Sequence, residues 1–130
     1  MAWVLIDAEG VIAVHDRVLN PGELAGLAGG RSIEGALARV ENRIAYGLIG
    51  DAHDLAAAYA VALARGHAFN DANKRTAFAV MELVLRMNAA TASHDVMEAA
   101  AWIIAVASGE RDETDLAAWL RAKTGVQDGG

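Results

Sequence analysis

Cysteine is absent from the 130 residues, which excludes a disulfide framework, a thiolate nucleophile and a Cys-ligated zinc site. A reducing cytoplasm suits such a chain. Proline occurs once, as Pro21, and aromatic residues make up only 5%, although 55% of the chain is apolar. The mean hydropathy is just +0.24, because much of the apolar content is alanine, the residue with the highest helix propensity. Packed helices are therefore predicted. No uninterrupted apolar run approaches the roughly 18 residues that a membrane span needs. The start, MAWVLIDAEG, lacks the basic stretch and apolar length of an export signal. A soluble cytosolic protein without a membrane partner is expected. Positive charge is scarce too: 11 Lys and Arg stand against 17 Asp and Glu, a formal charge of −6. A general nucleic-acid binder would need the opposite balance to neutralise phosphates.

The length predicts one domain, since a chain of this size buries roughly two thirds of its unfolded surface. Breakers cluster at Asn20-Pro21-Gly22, Gly29-Gly30, Gly47 with Gly50, Gly66, Gly109 and Gly125, leaving six helix-length segments between them. These are about Asp7 to Leu19, Ser32 to Tyr46, Asp51 to Gly66, Ala72 to Asn88, Ser93 to Ser108, and Asp112 or Thr114 to Gly125. Ile33, Ala36, Leu37, Val40 and Ile44 fall on one face of the second. Asp7, Asp51 and Ser93 are candidate N-caps, and Gly66 a candidate C-terminal stop. The fourth segment is apolar over much of its circumference through Phe78, Met81, Val84, Leu85 and Met87, which predicts a central place in the bundle. The expected architecture is all-α: a single domain over 1–125 and a frayed tail over 126–130. AYGLIGD, residues 45–51, is too short for a helix and reads as a small hairpin, a flap or a plain turn.

The densest polar cluster is HAFNDANKR, residues 67–75, between the glycine closing one helix and the first turn of the next. A helix N-terminus presents unpaired N–H groups and partial positive charge, so anions bind there. Asn73, Lys74 and Arg75 add an amide, a compact cation and a bidentate guanidinium. Two cations in a first turn are unfavourable for the helix dipole, which favours an anion beside them. His67 is suited to take a proton from a hydroxyl, and the Asp71 carboxylate is a hard oxygen ligand of the kind magnesium on a polyphosphate prefers. Phe69 reads as a core anchor for the loop. Together these are the parts of phosphoryl or nucleotidyl transfer: a base, a metal ligand and preorganised positive charge.

HAFNDANKRTA resembles the signature of the Fic/Doc family, commonly His-Pro-Phe-x-Asp/Glu-Gly-Asn-Gly/Lys-Arg, and is especially similar to the Doc branch, the toxins of death-on-curing addiction modules. The preceding ARGH, the upstream IEGALARVENRIAYG and the closing GE followed by LAAWL extend the likeness over nearly the whole chain. The resemblance implies a Fic/Doc-like bundle of about six helices with a short flap. It makes His67 the base, Asp71 the magnesium ligand and Asn73, Lys74 and Arg75 the phosphate-binding residues. Ala68 replaces the usual proline and Ala72 the first glycine. Lys74 stands where AMP-transferring relatives keep glycine; in the Doc branch this accompanies a reversed nucleotide and phosphate transfer.

The implied activity is that of a toxin kinase: phosphate from Mg-ATP to a Thr or Ser of a translation factor, elongation factor Tu being expected, so that translation stops. The implied partners are that factor and a cognate antitoxin. The Ser/Thr-x-x-x-Glu-Gly/Asn helix by which some Fic relatives inhibit themselves is absent, because Leu5 and Gly30 stand four residues before Glu9-Gly10 and Glu34-Gly35. Tyr46, Gly47, Leu48 and Ile49 become the candidate flap, where the target segment would dock by strand pairing. Other readings stay open. An AMP transferase would use the same site, and a non-catalytic binding module would use the same surface. A metal phosphohydrolase of the HD type would use His15-Asp16, His53-Asp54 or His94-Asp95. The last rests on two-residue matches that capping or solvation explains.

Overall fold

The computed structural model describes residues 3–28, 33–90 and 94–128, with side chains as far as 123. Six helices follow one another: α1 Ala8–Val18, α2 Ile33–Ala45, α3 Ala52–Gly66, α4 Asn73–Met87, α5 Val96–Ser108 and α6 Glu113–Asp128. No strand forms among the described residues, so the all-α expectation holds. The capping chemistry sets most boundaries. Asp7 accepts from the Gly10 amide at 2.9 Å and Asp51 from the Asp54 amide at 2.9 Å. Asp112 accepts from Asp115 N–H at 2.9 Å, opening α6. Asp95, which accepts from Met97 N–H, caps α5; Ser32 and Ser93 lie outside the described residues. α6 continues to Asp128, beyond Gly125, where the sequence placed its end.

The central helix is α3, not α4. Every residue from Leu55 to Ala64 is buried, and α3 packs against α2, α4, α5 and α6. Its sequence from Leu55 to Ala64 is an unbroken apolar run, and the small alanine side chains in it let neighbours approach on all sides. Gly66 serves the same packing. It is the last residue of α3, and a Cβ there would lie 3.4 Å from the Ala36 Cβ of α2. The left-handed residue closing the helix is instead His67, at φ 50 and ψ 41.

The N-terminal segment is fastened to this core. The Tyr59 hydroxyl accepts from Ile6 N–H at 2.9 Å and donates to Ile6 C=O at 3.0 Å. Asn88 holds Val4 in the same two-way manner. Residues 45–51 form no hairpin. Leu48 N–H reaches back to Arg43 C=O at 2.9 Å, and Gly47 N–H to Ile44 C=O, with Gly47 at φ 72, which closes the end of α2. Tyr46 is 79% exposed and Leu48 57%, whereas Ile49 packs against the core.

Candidate functional site

The site loop, residues 67–72, runs from the end of α3 to the start of α4 and is held from three sides. Ala28 N–H donates to Ala68 C=O at 2.8 Å, and Asn70 N–H donates to Gly26 C=O at 3.2 Å, making a single antiparallel bridge between Leu27 and Phe69. Phe69 is buried, its ring stacked on His15 with centroids 3.8 Å apart. His15, wholly buried, donates from Nε2 to Asp71 C=O at 2.8 Å. Asn73 closes the loop from inside: its Oδ1 accepts from Phe69 N–H at 3.1 Å and its Nδ2 donates to Phe69 C=O at 2.9 Å. Phe69, the anchor expected from the sequence, is thus buried, with its ring against His15 and its backbone held by Asn73. The two Asn73 bonds also commit most of that side chain to the loop's shape.

The chain enters α4 through Ala72 at φ 64, with no side chain capping the helix. Thr76 N–H takes the Ala72 C=O. The N–H groups of Asn73, Lys74 and Arg75 are thus the orphan donors of the first turn, as every uncapped helix leaves them. Lys74 is exposed and has no partner among the described residues. His67, also exposed, has none either. Asp71 receives Leu24 N–H on Oδ2 at 2.8 Å, and its Oδ1 has no partner among the described residues. One carboxylate oxygen in this state suits magnesium, which is held largely by substrate phosphates and by one or two carboxylates.

Arg75 is the most constrained group. Its Nη1 donates to Val18 C=O at 2.7 Å and to Glu23 Oε1 at 2.8 Å, and its Nη2 donates to Glu23 Oε2 at 3.3 Å. These hydrogen bonds, more than any other influence, hold the Glu23 carboxyl below and the Arg75 guanidinium above their ordinary values. A groove of about 430 Å³ opens beside Lys74 and Arg75, lined by Phe78, Val96, Ala100, Ile103 and Ile104 between α4 and α5. The larger cavity, about 710 Å³, lies along the N-terminal segment and α2 and contains none of the motif residues. Chemistry, not volume, marks the site.

Sequence reasoning missed Glu23, Leu24 and the role of His15. The NPGE turn and the His15-Asp16 pair were visible, but their contacts join residues about fifty positions apart. The three His-Asp pairs also go separate ways. His15 binds the site loop, His53 stands 3.6 Å from Asp51, and His94 binds Glu82 at 2.7 Å. Among the described residues no group of three or more His, Asp or Glu side chains gathers to hold a metal ion.

A family profile described as Fic/DOC family matches residues 5–85, which include the whole loop and most of α4. The chain belongs to the Fic/Doc family. It is also 40% identical over 117 residues to the protein kinase doc of Escherichia phage P1, an alignment covering 89% of this chain and 92% of that one. The residues matching the family motif run from His67, which closes α3, to Arg75 in the first turn of α4. No helix among the described residues is long and apolar enough to cross a membrane.

Proposed function

We propose that the chain is a Doc-like toxin that transfers the terminal phosphate of Mg-ATP to a threonine or serine hydroxyl of a translation factor, with elongation factor Tu as the expected target. The observation that carries this reading is the uncapped start of α4, whose free N–H groups and unpartnered Lys74 adjoin a loop bearing an unpartnered His67 and a free Asp71 oxygen. The likeness to a relative named a protein kinase favours phosphate over AMP as the transferred group, and so does Lys74 where AMP transferases keep glycine.

His67 takes the proton of the target hydroxyl as its oxygen attacks the terminal phosphorus; the bond to the ADP oxygen breaks, and ADP leaves. Asp71, with Oδ2 taken by Leu24 N–H, would hold magnesium, which would supply positive charge at the phosphates. The α4 N–H groups, Lys74 and Arg75 balance phosphate charge, and Asn73 contributes by fixing the loop and through its own N–H. Positioning and charge stabilisation of this kind account for most of the rate in phosphoryl transfer. Tyr46, Gly47, Leu48 and Ile49 offer the docking surface for the target, with Tyr46 and Leu48 the exposed pair. A cognate antitoxin would restrain the toxin in the cytoplasm, where translation proceeds.

The test is to incubate the protein with Mg-ATP and elongation factor Tu and weigh the factor by intact-mass spectrometry. Gain of one phosphoryl group, lost in His67→Ala, is expected. Gain of one AMP instead would overturn the role given to Lys74, and no gain would remove elongation factor Tu as the target.

A further inference from the structure

Asn20, Pro21, Gly22 and Glu23 form a tight turn. Glu23 N–H returns to Asn20 C=O at 3.1 Å, and Gly22 stands at φ 90, a conformation open to glycine at little cost. With proline at the second position and glycine at the third, the four residues have the signature of a type II turn. The same turn binds the Glu23 side chain, whose Oε1 accepts from Asn20 N–H at 2.6 Å. The Glu23 side chain, 25% exposed, is thereby held between Asn20 N–H and the Arg75 guanidinium.

A guanidinium has five N–H donors in a plane. Nη1 spends both of its hydrogens, on Val18 C=O and Glu23, and Nη2 spends one on Glu23. What remains is the Nε–H and the second Nη2 hydrogen. These lie parallel on one edge, and no group among the described residues takes them. This is the fork that binds two oxygens of a phosphate. The next residue treats Asp71 alike, since Leu24 N–H occupies Oδ2 and leaves Oδ1.

We propose that Glu23 is a positioning residue: with Val18 C=O it clamps the back of Arg75 so that the Nε/Nη2 edge is held ready for a nucleotide phosphate. The inference rests on the phosphate-transfer reading of this site. A mobile arginine would lose rotamer freedom each time it bound; a clamped one has lost it already on folding. The contact also distinguishes positioning from competition, because a competing carboxylate would occupy the Nε edge and this one leaves it open.

The experiment is a cycle of Mg-ATP titrations on wild type, Glu23→Gln, Arg75→Ala and the double variant, with NMR of the arginine guanidinium signals. Glu23→Gln keeps the turn and the size of the side chain. It is expected to weaken Mg-ATP by about tenfold, the scale of one hydrogen bond to a charged group, and to have no further effect once Arg75 is alanine. In wild type the Nη1 and Nη2 signals of Arg75 are expected to be separate through restricted rotation, and in Glu23→Gln to merge. Tighter Mg-ATP binding by Glu23→Gln would make Glu23 a competitor and overturn the proposal, as would equal losses in both backgrounds or merged signals in wild type. Failure of the underlying reading looks different: wild type would take up no Mg-ATP whatever the Arg75 signals show, and that result overturns both.

Discussion

Two residues of the site loop, His67 at φ 50 and Ala72 at φ 64, adopt the left-handed backbone that side chains disfavour by about 1–2 kcal/mol each. At position 67 the strain serves the proposed chemistry, because it turns the chain out of α3 with the imidazole exposed. His67→Ala should retain the fold and cut the rate of phosphate transfer on the order of 10²-fold or more, measured as initial rates at saturating Mg-ATP. The position of Ala72 needs only the turn. Glycine there removes the strain but adds back roughly 0.5–1 kcal/mol of chain entropy, so Ala72→Gly should stabilise the protein by about 0.5 kcal/mol. A chemical denaturation midpoint that falls in this variant would contradict that account of the loop. The family motif carries glycine at this place, and the backbone shows the reason.

Among the elements, α3 organises the bundle, and through the Tyr59 hydroxyl it also fastens the buried part of the N-terminal segment. Tyr59 satisfies both polar groups of Ile6 at a buried site, and burial raises its own ionisation above the ordinary range. Tyr59→Phe would leave a donor and an acceptor of Ile6 without partners, a loss of about 1–3 kcal/mol. Urea unfolding should show it as a lower midpoint with an unchanged slope. α2, α4 and the caps at Asp7 and Asp51 were legible because each is written in neighbouring residues: a stripe three and four apart, or a carboxylate three before its amide. The central role of α3 was not. Leu55, Ala58, Tyr59, Ala62 and Leu63 fall at helical spacing on one side, and only the arrangement of four other helices around α3 makes the remaining sides, with Ala56, Ala57, Ala60 and Ala64, an inside as well.

Over the whole molecule, the ion pairs that join distant elements make stability depend on acid. Arg121 of α6 binds Asp51 at 2.8 Å and Asp54 at 2.9 Å, tying the last helix to the start of α3. Burial works to raise the Asp51 carboxyl, but the bonds from Arg121 and the Asp54 amide outweigh it and bring it from 3.8 down to about 2. A lowered folded-state value means that this contribution is complete above 3.8 and is lost as the pH falls through about 2. The wild type should therefore lose stability in that interval. Arg121→Ala should lose less there, since its Asp51 returns toward the ordinary value. Asp51 is partly exposed, so salt should weaken the effect. Equal pH profiles for the two proteins would show that the pair contributes nothing.

The sequence by itself determined the helical class and most element boundaries and singled out the nine residues from His67 to Arg75 as the candidate site, because composition, caps and a compact motif are all local signals. The tertiary structure alone decided that α3 lies at the centre, that His15 bonds the Asp71 carbonyl, and that the turn at Glu23 and Leu24 engages Arg75 and Asp71. The physical reason is distance along the chain. Each of those contacts unites residues that only the packing of α1 and its following turn against α4 brings together, and no spacing within either segment announces the other.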